Sequence, residues 1–243
     1  MPLILLLEVA IILFLRKKMA AYFVGMIVRF GGSRSQAVWL YALTALPGVL
    51  SHEISHFLYA AFLGLRTGSI ELLPQMDERG GVELGSVQVE KKDPLRLSLV
   101  GLAPLISGMI LIAWLSSYIP TLDFSSFSSW KTSVQMIQLT AFHVLIMYLI
   151  MTISLHMTPS KRDMASWPIV AVLTFVFMSS FIFLGFKIPI TQSITEGLSR
   201  ILNQTAYGLA LAILFAGVST GLEYIGLLVS IRYDRRRLWQ KNT

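Results

Sequence analysis

The chain of 243 residues contains no cysteine and few charged residues. The missing cysteine excludes disulfides and thiolate metal ligands, so any metal site has to use histidine, aspartate or glutamate. Charged residues make up 14% of the chain and apolar residues 55%, whereas a typical soluble domain is about 25% charged. This balance predicts a multi-pass membrane protein.

The chain also lacks an internal repeat and a polar segment long enough for an independent water-soluble domain. The longest polar connection runs roughly from residue 64 to 96. We therefore expect a single membrane-embedded domain, residues 1–243. Its expected parts are a core at about 37–170, accessory helices at 1–36 and 168–231, and a basic tail at 232–243.

Apolar runs of about 20 residues predict about six transmembrane helices. The expected spans are roughly 3–15, 37–63, 97–119, 134–157, 168–190 and 206–231. The first run is short, so it either lies in the membrane interface or continues as a longer helix through the sequence MAAYFVGMIVRF. No basic region precedes it and no small-residue cleavage site follows, so we expect it to be retained in the protein.

The net charge of +7 comes from basic residues in short loops and in the C-terminal tail, beside the hydrophobic runs. That distribution is typical of the positive-inside rule and of contact with anionic lipid. The chain shows no basic and aromatic recognition module, which argues against nucleic acid as a partner. We expect a multi-pass protein of the cell membrane, with the lipid bilayer as partner and the C-terminus in the cytoplasm.

Between the second and third expected spans, polar and apolar residues alternate around a Gly-Gly pair at 80–81. Alternation on both sides of a glycine turn predicts two short strands. The expected fold class is therefore an all-α polytopic membrane protein that carries a small β-hairpin on its cytoplasmic side.

The second expected span contains the sequence HEISH at residues 52–56. On a helix, His52 and His56 lie one turn apart and point to the same side, so both imidazoles can bind one metal ion. Glu53 can reach a water on that metal without being a ligand. Catalytic zinc takes three protein ligands and a water, with a nearby carboxylate as general base. The motif supplies two ligands and the base, and the third ligand has to come from elsewhere.

The alternatives to a catalytic site are a structural polar cluster and a metal site without catalysis. Ionisable side chains inside a membrane span are costly and by default mark a functional site. For this reason we favour a metal site over a purely structural cluster.

Several residues are candidates for the third ligand. The metzincin spacing would place it at Phe62, which cannot bind a metal. Glutamates of the hairpin would suit only a helical segment, and a lone His143 or His156 in the fourth span is more often a packing residue. The remaining candidate for the third ligand is Asp163, which lies in a segment where Pro159 breaks the helix. The alternative for this aspartate is a solvated loop position beside two basic residues.

A shared metal places a geometric demand on the aspartate. His52 lies about 18 Å from the cytoplasmic end of its span, whereas Asp163 follows the apparent end of the fourth span. For the two side chains to meet, residues 158–163 must fold inward, or the fourth span must start later and break inside the membrane.

Four features together resemble the site-2 protease family of intramembrane zinc metalloproteases. They are the HEISH segment, the hairpin, the sequence GLAPLISG at 101–108 and an aspartate after a proline-broken span. The resemblance implies that zinc is bound by His52, His56 and Asp163. It implies that Glu53 is the catalytic base in hydrolysis of a peptide bond of a membrane-embedded or membrane-adjacent protein.

The chain departs from the family pattern at two places. Met164 follows the aspartate where the family usually has glycine. The family's G-P-x-x-N element appears here as Ala103, Pro104 and Ser107, which makes Pro104 and Ser107 the candidate substrate-binding residues. The alternatives to a protease are a non-catalytic membrane protein that binds a metal or partner helices, and an ion- or proton-coupled transporter, for which inverted repeats are absent.

Overall fold

The computed structural model describes residues 2–76, 82–90, 93–120, 140–183 and 192–241. Within these ranges the chain is mostly helical and carries two small antiparallel sheets. The helices are α1 (Pro2–Arg29), α2 (Arg34–Phe62), α3 (Pro94–Ser116), α4 (Ala141–His156), α5 (Trp167–Phe183) and α6 (Gln192–Lys241). The strands are β1 (Thr67–Glu71), β2 (Gln75–Met76), β3 (Val82–Glu83) and β4 (Ser86–Val89).

Two stretches are long and apolar enough to cross a membrane, namely α3 and the part Gln192–Ile231 of α6. Helix α4 is apolar as well, but it has 16 residues. Two such stretches are consistent with association of the protein with a membrane. The count of six spans stays a prediction, and part of the fourth expected span, residues 134–139, lies outside the described residues.

The first apolar run continues as one helix. Helix α1 has 28 residues, so of the two alternatives for this segment the structure contains the longer helix. Helix α2 begins after Ser33, whose hydroxyl accepts the backbone N–H of Gln36 at 3.2 Å. The Gln36 side chain in turn accepts the backbone N–H of Ser33 at 2.8 Å. This reciprocal capping box satisfies two backbone donors that a helix start otherwise leaves unpaired.

Helices α2 and α4 lie side by side and run parallel. The Tyr148 hydroxyl donates to the Thr44 carbonyl at 2.7 Å, and two turns further on Nδ1 of His52 lies 2.7 Å from the His156 carbonyl. Both pairs are 104 residues apart in sequence. Between them Gly48 lies against Thr152, where a Cβ atom would overlap the Thr152 carbonyl oxygen. A glycine at this point therefore allows the close approach that brings α4 to the histidine face of α2.

Helix α3 also packs on α2. Each of the remaining helices packs against α3, α4 or both. Ser55 of α2 and Ser107 of α3 share a hydrogen bond between their hydroxyls. Helix α3 is tied to α6 by the Ser116 hydroxyl, which donates to the Gln204 carbonyl at 3.0 Å. The main hydrophobic core combines residues of α1, α3, α4 and α6. Its most deeply buried members are Ile12, Ile112, Ile150 and Leu209.

The predicted hairpin is present as two successive strand pairs. Strands β1 and β4 pair antiparallel, and β2 and β3 extend the same hairpin toward its tip. The Gly-Gly turn at 80–81 lies outside the described residues. At Gly85, next to β4, a Cβ atom would lie 2.8 Å from Val49 Cγ1 and 3.1 Å from Glu53 Cγ. The hairpin therefore packs directly on the part of α2 that carries the HEISH sequence.

Replacing Gly48 by alanine tests the close packing of α2 and α4. The added methyl group has no room beside the Thr152 carbonyl, so the helices must move apart at a cost of about 1–3 kcal/mol. We expect a lower unfolding temperature in detergent, measured by differential scanning fluorimetry. Gly217→Ala is the matched control because no atom lies within 4 Å of a Cβ at that position. Equal stability of Gly48→Ala and the wild type would contradict this packing.

Candidate metal centre

Three side chains from two parts of the chain converge at one point. Nε2 of His56 lies 3.1 Å from Nε2 of His52. The Asp163 carboxylate lies 3.7 Å from His52 Nε2 and 3.3 Å from His56 Nε2. Tetrahedral coordination with bonds of about 2.0 Å implies ligand atoms about 3.3 Å apart. The separations are close to that value, so the three residues could hold one metal ion.

Both imidazoles are oriented by backbone carbonyls. Nδ1 of His52 lies 2.7 Å from the His156 carbonyl oxygen, and Nδ1 of His56 lies 2.9 Å from the Val100 carbonyl oxygen. Because a carbonyl can only accept, we assign the hydrogen of each ring to Nδ1, which leaves a lone pair on each Nε2 of the neutral ring. Two lone pairs that face each other at 3.1 Å repel, unless a cation lies between them. The arrangement therefore fits a metal ion, and such carbonyl contacts are typical around metal-bound histidines.

The two carbonyls are free to accept because proline interrupts the helices that carry them. In α3 the Val100 carbonyl would normally accept the N–H of residue 104, but that residue is Pro104, which has no N–H. In α4 the carbonyl of His156 belongs to the last helical residue, and Pro159 follows three positions later. Carbonyls of a last turn have no helical partner. Each imidazole thus satisfies a backbone acceptor that would otherwise be unpaired.

The segment after α4 folds inward and carries Asp163 to the histidines. The backbone N–H of Ser160 donates to the Asp163 carboxylate at 2.6 Å, and the Asp163 N–H donates to the Ser160 hydroxyl at 3.3 Å. The backbone of Asp163 rests on α3 at Gly101, where a Cβ atom would overlap the Asp163 carbonyl oxygen. This is the inward fold of residues 158–163 that a shared metal site requires.

The electrostatics of this carboxylate favour the charged form. Burial raises the pKa of Asp163, but the contacts with His52 and His56 and the hydrogen bond from the Ser160 N–H outweigh burial and hold the pKa well below its usual range. Asp163 is therefore present as an anion at neutral pH, which is the state in which a carboxylate binds a metal.

Glu53 lies beside the three ligands and faces the same cavity. The cavity has a volume of about 830 Å³, and its wall includes Glu53, His52, His56 and Asp163. Other parts of the wall come from α1, β4 and the segment after α4. Glu53 itself is 6% exposed. A buried carboxylate next to a three-ligand group is positioned to exchange protons with a molecule in the cavity.

The other candidate ligands do not belong to the three-residue group. His143 is at the start of α4, where its Nδ1 lies 2.8 Å from the Thr140 hydroxyl. His156 contributes its backbone carbonyl to the site, and its own Nδ1 lies 2.8 Å from the Thr152 carbonyl. Glu71 of β1 accepts a hydrogen bond from Gln75. In the described part of the chain, His52, His56 and Asp163 are the group that could hold a metal.

Pro104 and Ser107, the candidate substrate-binding residues, have packing contacts. The Pro104 side chain is less than 2% exposed, and the Ser107 hydroxyl bonds to Ser55 and donates to the Ala103 carbonyl. Neither is among the described residues that line the cavity. A role of either residue in substrate binding stays a prediction.

Sequence patterns did not indicate the structural role of three residues that shape the site. Pro104 frees a carbonyl, and Gly48 and Gly101 admit backbone from α4 and from the segment after it. For Pro104 the sequence does carry a signal, because the proline interrupts an otherwise continuous apolar run. The sequence carries no comparable signal for the two glycines, because their role is visible only once the helix packing is known.

Comparison of the chain with protein-family models, with curated proteins and with solved structures gave no match. The resemblance to the site-2 protease family thus rests on the sequence motifs alone and stays a prediction.

Replacing Pro104 by alanine tests the origin of the Val100 acceptor. Alanine restores the backbone N–H that pairs with the Val100 carbonyl in the helix. This N–H then competes with the His56 ring for the same acceptor. Loss of such a contact to a metal-bound histidine typically weakens metal affinity about 10- to 100-fold. We expect a loss of this size for zinc, measured by competition with a chromophoric chelator, while thermal stability is kept or rises.

Pro47→Ala is the matched control, because Pro47 also lies inside a helix and its missing N–H frees the carbonyl of Leu43, whose side chain is 61% exposed. Pro47→Ala should bind zinc as the wild type does. Wild-type affinity in the Pro104→Ala variant would contradict the proposed origin of the acceptor.

Proposed function

We propose that the protein is a zinc-dependent metalloendopeptidase that works in the membrane and hydrolyses peptide bonds of membrane-embedded or membrane-adjacent proteins. One observation carries this proposal. Two oriented imidazoles and an ionised carboxylate converge at one point, and a buried glutamate faces the same cavity. That is the residue set which a zinc peptidase needs: three ligands and a general base.

The ligand set supports zinc over calcium and magnesium. Two imidazole nitrogens and one carboxylate oxygen suit zinc, whereas calcium and magnesium prefer oxygen ligands alone. Three protein ligands leave a position open for a water or a substrate. Bound zinc would polarise the carbonyl of the scissile bond and lower the pKa of a water molecule.

Glu53 would act as the general base. Its carboxylate takes a proton from the attacking water while the water oxygen forms a bond to the carbonyl carbon. The same proton then passes from Glu53 to the amide nitrogen as the carbon–nitrogen bond breaks. Because Glu53 is 6% exposed, few solvent molecules compete for that proton. His52, His56 and Asp163 hold their ring and carboxylate atoms still through the contacts with backbone carbonyls and with Ser160.

The outer surface supports a position inside the bilayer. Large apolar side chains are exposed on several helices, among them Leu58 (57%), Ile110 (53%), Phe175 (73%) and Leu222 (65%). Soluble monomers rarely expose contiguous apolar surface of this kind. We propose a multi-pass arrangement with the basic C-terminal end in the cytoplasm, in which the apolar faces meet lipid and the polar site faces the interior of the bundle.

The hairpin supports binding of an extended polypeptide. In the described part of the chain β4 pairs with β1 on one edge, and Ser86, Val87 and Val89 of β4 line the cavity. An unpaired strand edge can accept another strand through main-chain hydrogen bonds. Such pairing would present the backbone of a locally unwound substrate to the site.

Zinc content and cleavage, measured on matched variants, test the proposed function. The purified wild type should carry one zinc per chain, measured by inductively coupled plasma mass spectrometry. His56→Ala and Asp163→Ala each remove one of three ligands, so zinc should be largely lost. His143→Ala is the control, because that histidine bonds to Thr140 away from the site, and it should keep both zinc and activity. Full zinc occupancy in Asp163→Ala would contradict the ligand assignment.

Glu53→Gln separates an enzyme from a binding protein. Glutamine keeps the size of the side chain but cannot accept the proton, so cleavage of a membrane-protein substrate should fall about 100- to 10,000-fold while zinc is retained. Cleavage is measured by gel electrophoresis after reconstitution into liposomes. Unchanged cleavage in this variant would contradict the role of Glu53. A wild type that holds zinc and cleaves nothing would favour a non-catalytic metal-binding protein.

A further inference from the structure

The cavity contains a cationic group that the proposed mechanism does not use. Arg16 of α1 lines the same cavity as His52, Glu53 and Asp163. Its guanidinium is half-buried and donates to the Thr158 hydroxyl at 3.4 Å. It opens a run of three basic residues, Arg16 to Lys18, in helix α1, and an ionisable side chain that faces a polar cavity between helices is by default a functional candidate.

Arg16 has no acidic partner in the described part of the chain. The described ion pairs of carboxylates join Asp163 to the two histidines and Asp93 to Arg96. The guanidinium instead donates to the neutral hydroxyl of Thr158, and Tyr41 and His156 lie in its surroundings. A partly buried guanidinium that lacks a counter-charge is unfavourable, because its desolvation is not compensated. A bound anion would supply the missing charge.

The cavity as a whole has an excess of positive charge once a metal is present. Its described lining contains the cationic side chains Arg16, Lys17 and Arg162. The carboxylates in that lining are Glu53 and Asp163, and both are committed to the metal centre. A divalent ion would add further positive charge. Inside a cavity with apolar walls, such an excess attracts anionic groups strongly.

We propose that Arg16 binds a carboxylate of the polypeptide substrate, either an acidic side chain or the C-terminal carboxylate. The guanidinium contacts Thr158, two positions after His156, whose carbonyl oxygen lies 2.7 Å from His52 Nδ1. The carboxylate that Arg16 binds therefore lies within a few residues of the cleaved bond. This inference rests on the proposed peptidase function, since it takes the occupant of the cavity to be a polypeptide.

A peptide carboxylate fits this place better than a lipid phosphate. The planar guanidinium binds both groups through paired hydrogen bonds. The surroundings decide between them: the cavity that Arg16 lines also contains the unpaired edge of β4 and the candidate base Glu53. These are features that recognise a polypeptide backbone.

Binding can be measured separately from cleavage on metal-loaded protein that carries Glu53→Gln. The probes are three fluorescein-labelled pools of decapeptides whose other positions are random but exclude aspartate and glutamate. One pool has a fixed central aspartate and an amidated end, one has asparagine in its place and an amidated end, and one has asparagine with a free C-terminal carboxylate. Fluorescence anisotropy in detergent gives the affinity of each pool. The first and third pools distinguish a side-chain carboxylate from a terminal one.

At least one carboxylate pool should bind about tenfold tighter than the neutral pool, since hydrogen bonds to charged groups are strong. Arg16→Gln should abolish that preference, and Arg16→Lys should keep part of it. Lys18→Gln is the control, because Lys18 lies over the rings of Phe14 and Tyr22 and outside the cavity lining, and it should behave as the parent protein does. Thermal unfolding confirms that each variant is folded.

The proposal is overturned if the carboxylate preference is absent, or if it persists in Arg16→Gln. It is also overturned if phosphatidylglycerol, but neither carboxylate pool, shows Arg16-dependent binding, because the cation then serves a lipid. Cleavage assays on the protein with Glu53 intact separate the two hypotheses. Arg16-dependent binding without cleavage would contradict the peptidase function alone, whereas cleavage that is independent of both Arg16 and substrate charge would contradict this inference alone.

Discussion

The structure depends on two hydrogen bonds that join imidazole N–H groups to backbone carbonyls without helical partners. His52 donates to the last carbonyl of α4 at 2.7 Å, and His56 donates to the Val100 carbonyl of α3 at 2.9 Å. Each bond satisfies a buried carbonyl and at the same time fixes which ring nitrogen is available to a metal. Each break in regular helix geometry therefore also orients an imidazole that could bind a metal.

The surrounding packing follows from these two bonds. Helix α4 must come close to α2, which Gly48 allows, and the segment after α4 must turn inward onto α3, which Gly101 allows. The inward turn brings Asp163 to within 3.3 Å of His56. On the other side the hairpin meets α2 at Gly85, beside Glu53. Backbone from three separate segments therefore encloses the polar groups, and large apolar side chains are exposed on the outer faces of the helices.

Local patterns predicted a large part of this arrangement. The pairing of His52 and His56 follows from helix periodicity, and the hairpin follows from alternation around two glycines. Asp163 was found by elimination, together with the condition that its segment fold inward. Such features depend on residues near one another in sequence, or on the scarcity of ionisable residues, so the sequence alone reveals them.

What the sequence did not reveal depends on contacts between distant segments. Pro104 was a candidate for substrate binding, whereas in the structure it lies buried in α3 and frees the carbonyl that His56 uses. The position of Arg16 in the cavity beside His52 and Asp163 follows from how α1 packs on α2, and hydropathy gives no information about that packing. The last helix begins at Gln192, before the apolar run at 206–231, and hydropathy does not predict whether the polar residues ahead of such a run are helical.

The central claim is that one zinc ion is held by His52, His56 and Asp163. Zinc K-edge X-ray absorption spectroscopy of the purified protein tests it most directly, because the spectrum reports the number and type of ligand atoms. The account predicts four nitrogen or oxygen neighbours at about 2.0–2.1 Å, with the outer-shell scattering of two imidazoles. In Asp163→Asn, a weaker ligand should change the first shell while both imidazoles are kept. A spectrum without imidazole scattering, or one that is identical in the wild type and Asp163→Asn, would contradict the account.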